Sequence, residues 1–284
     1  MADAASTRPN ADQVDAWNGP TGERWLKQYD VVGRQLAPLG ERVMDHLAIG
    51  PGEQVLDIGC GTGETTAALA RRVGAGGSVL GIDISRPLLD VANARARSEG
   101  IANVRFAEAD AQTFRFEPAS FDALYSRFGV MFFEDPAAAF ANLRGALRAE
   151  GRLAFVCWRS RDENPFMTLP TRVGSAFLDN PPAFDPAAPG PFAFADAGRL
   201  RGLLTAASFT DVAIAPFDDT FMGDPASVRQ TMEWRDPLNR LLAESDAGRR
   251  AEIDAALDAA LAPFIRDGRV TLPAATWLVS ARAG

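Results

Sequence analysis

Histidine, tyrosine and cysteine are scarce in this sequence, which has one, two and two of them among its 284 residues. Two cysteines, Cys60 and Cys157, are too few for a disulfide framework. They also offer no metal-ligand set, because such sites combine several cysteine and histidine side chains. We therefore predict a reduced protein with no metal site.

Long apolar runs are missing as well. The longest mostly apolar segments, such as Leu153 to Trp158, fall far short of the ~20 residues needed to cross a bilayer. The first residues, MADAASTRPNADQ, lack the apolar core of a signal peptide. These two absences predict no membrane span and a cytoplasmic location.

Positive charge is in deficit. The chain has 29 Lys and Arg against 37 Asp and Glu, a net charge of -8, which repels phosphate backbones and anionic membrane surfaces. Nucleic acid is therefore not an expected partner, whereas a small-molecule substrate is, with the protein a monomer or a homodimer. Hydrophobic residues at 47% are ordinary for a globular protein. The length suits two average domains or one elaborated α/β domain.

Short apolar segments alternate with helical patterns through the first half of the chain. The predicted strands are 54–58, 79–83, 104–108, 121–126 and 151–158, and the predicted helices are 65–73, 87–98 and 137–148. Such alternation implies right-handed βαβ crossovers and a parallel sheet. Two later strands, 211–217 and 275–281, bring the count to seven. The fold class is therefore α/β, with a doubly wound, seven-stranded, mainly parallel, Rossmann-like sheet.

The segments flanking this core have different compositions. Residues 1–12 are small and polar and predict a flexible tail. Residues 13–50 form a helical segment of two or three helices, with breaks at Gly19-Pro20 and at Pro38-Leu39-Gly40. Residues 51–160 are the core. Residues 161–284 contribute cap helices, predicted at 196–207, 224–244 and 247–264, together with the last two strands.

A glycine-rich turn follows the first predicted strand. Gly59, Gly61 and Gly63 run G-x-G-x-G where a parallel strand ends, and glycines there let the backbone approach a cofactor closely. The dinucleotide fingerprint needs a third glycine at the position of Glu64. Carboxylates at Asp57 and Glu64 are also unfavourable beside a pyrophosphate. The turn therefore favours a cofactor that carries cationic groups.

Two further acids end the next two predicted strands. Asp83 is placed to accept hydrogen bonds from both ribose hydroxyls of a nucleoside. Asp110 can accept from an adenine amino group, while the backbone N–H of Ala111 can donate to a ring nitrogen. Together with Asp57, these acids follow three consecutive strands and outline one nucleoside.

These segments resemble the ordered motifs of class I S-adenosylmethionine (SAM)-dependent methyltransferases, most closely the small-molecule branch that includes the ubiquinone/menaquinone C-methyltransferases. The segments that carry the resemblance are 55–63, 81–85, 109–111, 121–124 and 147–153. It covers roughly residues 40–160. One departure is Ala149-Glu150-Gly151, where many relatives have Pro-Gly-Gly, and this affects only the local geometry of that turn.

The resemblance implies SAM as the cofactor and S-adenosylhomocysteine as the product. The cofactor-binding residues that it implies are Asp57, Gly59, Gly61, Gly63, Asp83, Ile84, Asp110, Ala111, Arg127, Trp25 and Tyr29. In this assignment the glycines cradle the methionine part and Asp57 anchors its ammonium group. Arg127 borders the cofactor, and the N-terminal helices, with Trp25 and Tyr29, cover it.

The region after residue 160 is rich in aromatic residues and methionine, as expected of a lid that excludes water above a small apolar or amphipathic substrate. The residues that we expect to contact this substrate are Phe128, Phe166, Met167, Phe194 and Trp234. We therefore expect the methyl acceptor to be a small molecule.

The single histidine limits the mechanism. His46 ends the helix before the first strand, which places it at the amino-terminal edge of the sheet, away from the cofactor turn. In-line transfer that relies mainly on positioning is therefore favoured, with no catalytic residue assigned. The alternative is a carboxylate base, with Glu134, Asp135, Asp162 and Glu163 as the candidates.

Two other functions fit parts of the pattern. A SAM-binding sensor or assembly protein would keep the cofactor motifs but lack an enclosed substrate cavity. A dinucleotide-dependent α/β enzyme is disfavoured by Glu64. Binding of S-adenosylhomocysteine without binding of NAD(P) separates the SAM-dependent functions from the dinucleotide-dependent one.

Overall fold

The protein is described from a computed structural model that covers residues 8–181, 183–235 and 237–284. Its contacts divide the chain into two units. Unit 1 comprises Met1–Cys157, Ala188–Ala215 and Leu278–Gly284, and unit 2 comprises Trp158–Ala187 and Pro216–Trp277. Of the predicted tail, residues 1–7 lie outside the described residues, and a helix already begins at Ala11.

A parallel sheet forms the centre of unit 1. Its strands are β1 (Gln54–Ile58), β2 (Ser78–Asp83), β3 (Val104–Glu108), β4 (Phe121–Arg127) and β5 (Leu147–Trp158). They pair in the order β3-β2-β1-β4-β5, and each of these pairs is parallel. Central strands covered on both faces are rich in buried apolar residues, and β1 and β4 have Val55-Leu56 and Ala123-Leu124-Tyr125 at their centres. The predicted α/β fold is confirmed.

Two long strands complete the path of seven. They are β6 (Phe209–Gly223) and β8 (Arg269–Ala283), and they extend the order as β5-β8-β6. Both are longer than predicted, because the prediction kept only the most apolar part of each. A strand of two residues, β7 (Ile265–Arg266), pairs antiparallel with β8 and was not predicted.

The helices of the core follow their strands closely. They are α3 (Glu64–Val73), α4 (Arg86–Ser98), α5 (Pro136–Ala146) and α7 (Ala197–Ala206). Side chains cap three of them: Ser85, Asp135 and Asp196 accept from backbone N–H groups in the first turns of α4, α5 and α7. The predicted helix 137–148 ends earlier, at Ala146, because β5 already begins at Leu147.

The N-terminal segment contains two helices, α1 (Ala11–Asn18) and α2 (Pro20–Leu47). The break at Gly19-Pro20 is present, but the one expected at Pro38 is not, so that expectation was wrong. A proline inside a helix costs about 3 kcal/mol, and the buried side chains of Leu36, Leu39 and Val43 on both sides of it offset this cost. His46 lies exposed in the last turn of α2, ahead of β1.

Unit 2 is built around four helices, α6 (Pro165–Ser175), α8 (Pro225–Glu233), α9 (Leu238–Glu244) and α10 (Ala247–Leu261). The single helix predicted over 224–244 is two helices, since Pro237 lies at the start of α9 and cannot continue α8. Arg229 of α8 forms ion pairs with Asp254 and Asp258 of α10, at 2.5 Å each. No helix of the described ranges is long and apolar enough to cross a membrane.

Candidate functional site

The glycine-rich turn lies where β1 ends. The N–H groups of Gly59 and Cys60 both donate to the carbonyl oxygen of Ile82, at 2.9 and 3.0 Å, which joins the turn to β2. Gly59, Gly61 and Gly63 have φ angles of 68°, 54° and 76°. This is the left-handed region, where side chains are strained and glycine is not. Gly63 then starts α3.

The three glycines have different surroundings. A Cβ atom on Gly59 would lie 2.6 Å from the Cα of Gly129, and one on Gly63 would lie 2.8 Å from the Cβ of Ala92. Both positions thus need glycine for packing. On Gly61, by contrast, a Cβ would have no described atom within 4 Å. The turn therefore leaves open space beside Gly61, which is what close approach of a ligand requires.

Asp57 is a buried carboxylate whose hydrogen bonding is incomplete. Its Oδ2 accepts from the hydroxyls of Thr65 and Thr66, at 2.7 Å each. Its Oδ1 is buried and has no partner among the residues that the structure describes. Burial raises the pKa of Asp57 to about 6, against the lowering effect of the two hydroxyls. A buried acceptor is costly when unpaired, so this oxygen suits a donor from a ligand.

Asp83 joins the end of β2 to the turn. Its Oδ2 accepts from the N–H of Gly61 at 2.8 Å and its Oδ1 from the N–H of Ser85 at 2.9 Å. Burial raises its pKa in spite of these bonds. The carbonyl oxygen of the next residue, Ile84, accepts from the side-chain amide of Asn18 at 2.8 Å. The backbone N–H of Ile84 also interacts with the Asp83 carboxylate, which as an acceptor of about four hydrogen bonds retains capacity for a hydroxyl donor.

Asp110 follows β3 and is also incompletely paired. Its Oδ1 accepts from the N–H of Gln112 at 2.9 Å, and its Oδ2 is buried with no partner in the described part of the chain. Burial raises its pKa, against the lowering effect of hydrogen bonds from Gln112 and the Asn10 side chain, and the carboxylate of Glu134 adds to the rise. Ala111 beside it is buried.

Two residues beside Asp110 were not predicted to line this end of the site. The backbone N–H of Asn10 donates to Glu134, and Asn10 also lies near Asp110. The prediction placed Asn10 in the tail and Glu134 among the candidate bases. Asn10 and Glu134 are 124 positions apart in the sequence, so no local sequence pattern could have predicted their contact.

Arg127 forms an ion pair with Glu64 at 2.9 Å. The pair joins the end of β4 to the start of α3. Helix α2 packs against the pair at two of its glycines, where there is no room for a larger side chain. A Cβ on Gly40 would lie 2.9 Å from the Cδ of Arg127, and one on Gly33 would lie 3.0 Å from a carboxylate oxygen of Glu64. Glu64 is therefore neutralised, and the expectation that it adds to the acidic surroundings was wrong. That role falls to Asp57, Asp83 and Asp110.

The N-terminal helices lie against these elements. The Trp17 ring is 6.1 Å from the Trp25 ring and 5.4 Å from the Phe132 ring. Tyr29 of α2 lies 6.0 Å from the guanidinium of Arg95, whose Nε donates to the carbonyl oxygen of Thr62 in the turn. Trp25 and Tyr29 thus belong to helices that pack beside the glycine-rich turn.

The residues expected to contact substrate fall in both units. In unit 1, Phe128 is buried with a φ of 64° directly after β4. Phe194 is 2% exposed and lies 5.7 Å from Phe140 and 6.4 Å from Phe155, which makes it a core residue of unit 1. In unit 2, Phe166 is buried, whereas Met167 and Trp234 are partly exposed.

Three of the candidate bases already have partners. Glu163 forms an ion pair with Arg159, and a hydrogen bond from Ser160 together with this charge lowers its pKa. Asp135 caps α5, and Glu134 accepts from Asn10. Asp162 is exposed. In the described ranges, no group of three or more His, Cys, Asp or Glu side chains is arranged to hold a metal ion.

Comparisons with known proteins point to one family. Residues 55–151 match the family model described as a methyltransferase domain. An aklanonic acid methyltransferase from a Streptomyces species is 34% identical over 162 residues, which are 57% of this chain and 68% of that relative. A ubiquinone/menaquinone biosynthesis C-methyltransferase from Idiomarina loihiensis is 39% identical over 103 residues, 36% of this chain and 41% of that relative.

A solved structure supports the fold. The YcgJ protein from Bacillus subtilis superposes with a TM-score of 0.57 at 19% identity, and the match covers 88% of this chain and 98% of that one. At this identity the likeness concerns the fold alone, because one fold carries many functions.

Proposed function

The chain belongs to the class I SAM-dependent methyltransferases, and on this basis we propose that it transfers a methyl group to a small apolar or amphipathic molecule. SAM is the cofactor of this family and, when bound, supplies an electrophilic methyl group carried on a sulfonium. The relatives described above are named for aklanonic acid and for ubiquinone/menaquinone biosynthesis, and both names support a small-molecule acceptor.

The observation that carries the proposal is Asp57. Its buried, unpartnered Oδ1 lies in the strand that leads into the turn, and the turn is open beside Gly61. An ammonium group of the cofactor's methionine part can supply the missing donor and the missing positive charge at once. A pyrophosphate would instead place negative charge beside this carboxylate. The site therefore fits a cationic amino-acid nucleoside.

The remaining roles follow the order of the strands. Asp83, with Ile84 beside it, would hold the ribose hydroxyls, and Asp110 with Ala111 would face the adenine. The buried Oδ2 of Asp110 supports its part, since it keeps acceptor capacity for an exocyclic amino group even with the Asn10 side chain nearby. Gly59 and Gly63 shape the turn, and Gly61 lets the methionine part approach. Arg127, Trp25 and Tyr29 would border and cover the cofactor.

The chain would accelerate the reaction mainly by positioning the substrate. Its one histidine, His46, lies at the far end of α2 from the turn, ahead of β1. Glu163 and Asp135 are engaged in structural contacts. The acceptor atom would thus come from a substrate that carries its own nucleophile, held in line and shielded from water, and positioning of this kind supplies much of the acceleration.

The test is binding of S-adenosylhomocysteine to Gly61→Ala, measured by titration calorimetry. A methyl group at this position fills the open space, so we expect affinity to fall about tenfold or more, ~1.4 kcal/mol. Gly100→Ala is the matched control, because Gly100 also has a positive φ, 66°, and open surroundings, but lies at the end of α4. Both variants carry a similar backbone strain of about 1 kcal/mol.

Two results would contradict the proposal. One is equal affinity of Gly61→Ala and the wild-type protein, and the other is binding of NAD(P) in place of S-adenosylhomocysteine. Transfer of labelled methyl groups from SAM to a metabolite extract then separates an enzyme from a sensor, which would bind the cofactor without transfer.

A further inference from the structure

Arg235, which follows α8 in unit 2, is a half-buried cation whose shielded nitrogen lacks a partner. Its Nε is shielded from solvent and has no hydrogen-bond partner, and its guanidinium forms no ion pair within the ranges 8–181, 183–235 and 237–284. Burial lowers the pKa of the guanidinium to about 10. A charged group that is partly removed from water is normally paired, since its desolvation is costly.

Other arginines of unit 2 show the usual arrangement. Arg159 pairs with Glu163 and with Asp218, the latter at 2.9 Å. Arg229 pairs with carboxylates of α8 and α10. Arg249 lies over the Phe177 ring at 5.6 Å but also donates to the carbonyl oxygen of Phe177 at 2.6 Å. Arg235 thus differs from Arg159 and Arg229, whose guanidinium groups form ion pairs, although the Nε of Arg159 is also without a partner in the described ranges.

An aromatic cluster holds the guanidinium of Arg235 in place. Its Cζ lies 4.9 Å from the ring of Phe166, which is 3% exposed. Phe166 packs on Phe221 at 4.6 Å, and Phe221 on Trp158 at 6.0 Å. Stacking on a ring covers one face of a guanidinium and leaves its in-plane N–H donors free. Those donors match the two oxygens of a carboxylate.

The physical balance favours a ligand over a structural role. An apolar side chain of similar volume would pack on Phe166 without the desolvation penalty. A polar group that breaks this rule is typical of a binding site, where the ligand supplies the missing partner.

We propose that Arg235, stacked on Phe166, binds the carboxylate of an aromatic or otherwise apolar acid. This site lies within unit 2 and goes beyond the proposed function. No bond is made or broken at Arg235, whose role is recognition of the acid.

The test compares two probes of nearly equal shape, 2-naphthoate and 2-naphthamide, by titration calorimetry. Only the first carries the negative charge, so the wild-type protein should bind it about tenfold more tightly or better, as hydrogen bonds to charged groups imply. Arg235→Gln should abolish this preference. Arg249→Gln is the matched control, because it removes another ring-stacked arginine of unit 2 and should leave the preference unchanged.

A second readout keeps the test independent of folding defects. Arg235→Met removes a half-buried charge that has no ion-pair partner among the described residues, so the midpoint of thermal unfolding without ligand should stay the same or rise, while binding of 2-naphthoate is lost. A structural role for Arg235 predicts the opposite, a lower midpoint.

The proposal is overturned if the wild-type protein does not bind 2-naphthoate, if it binds both probes equally, or if Arg235→Gln keeps the preference. Binding of S-adenosylhomocysteine, measured on the same samples, reports separately on the proposed function. Its absence from the wild-type protein would contradict the proposed function and leave the result at Arg235 unaffected.

Discussion

At the scale of single residues, Asp57 combines two opposed properties. Two threonine hydroxyls hold one of its oxygens, yet burial raises its pKa from the ordinary 3.8 to about 6. This difference corresponds to about 3 kcal/mol against the ionised form in the ligand-free protein. The carboxylate therefore costs stability at neutral pH until a cation binds beside it.

The first residue-scale prediction concerns the pH dependence of stability. The Asp57 carboxyl keeps its proton to a higher pH in the native state than in the unfolded chain. The stability that protonated Asp57 contributes is therefore fully present below about pH 4 and is lost as the pH rises through about 6. Asp57→Asn stays neutral, so above pH 6 it should be more stable than wild type by up to about 3 kcal/mol. Urea unfolding from pH 4 to 8 measures the difference.

The control is Asp90→Asn, which changes an exposed carboxylate of α4 and should show no such pH-dependent gain. The Asp57 carboxylate should also govern the affinity for S-adenosylhomocysteine. In the wild-type protein we expect this affinity to fall up to tenfold per pH unit below about pH 6. In Asp57→Asn we expect it to be weak and independent of pH. A gain in stability that does not vary with pH would contradict the role assigned to burial.

At the scale of elements, helix α1 is fixed to the loop after β2. The Ser85 hydroxyl donates to the carbonyl oxygen of Trp17 at 2.8 Å. The Asn18 side chain donates to the carbonyl oxygen of Ile84 and accepts from the N–H of Arg86 at 2.9 Å. These bonds hold α1 beside Asp83, so its docking and cofactor binding should depend on each other.

Asn18→Ala tests this dependence. The change removes the bonds to Ile84 and Arg86 but leaves the core intact, and lost hydrogen bonds of this kind cost about 1 kcal/mol each. We expect faster proteolysis within α1 and about fivefold or greater loss of affinity for S-adenosylhomocysteine. Asn93→Ala is the control, because Asn93 donates only within α4. Unchanged proteolysis and affinity in Asn18→Ala would show that α1 does not cover the cofactor.

At the scale of the whole molecule, the two proposed binding functions lie in different units. The residues assigned to the cofactor are all in unit 1, and Arg235 and Phe166 are in unit 2. Each ligand should therefore protect the segments that it contacts. Hydrogen exchange follows both units in one experiment, since bound segments open less often.

We expect S-adenosylhomocysteine to slow exchange in residues 57–66, 82–90 and 108–114, and 2-naphthoate to slow it in residues 158–170 and 228–235. In each titration, the peptides of the other unit serve as the internal control. Protection by S-adenosylhomocysteine in unit 2 alone would contradict the assignment of its site. Protection by 2-naphthoate in unit 1 alone would contradict the assignment of Arg235.

Local patterns in the sequence predicted the parallel sheet, the positions of its first five strands and the glycine-rich turn. These features could be predicted because buried strands and tight turns depend on residues that are close together in the sequence. The ends of long elements were harder to predict. The break expected at Pro38 is overridden by packing on both sides of it, and the predicted helix 224–244 is divided at Pro237.

By itself, the sequence determined the sheet that brings Asp57, Asp83 and Asp110 to one edge, together with the scarcity of histidine that limits the chemistry. Only the tertiary structure decided which charges are satisfied. It pairs Glu64 with Arg127 across 63 positions, and it leaves Asp57 Oδ1 and Arg235 Nε without hydrogen-bond partners among the described residues. Pairing of buried charges depends on contacts between distant segments, and such contacts exist only once the chain is folded.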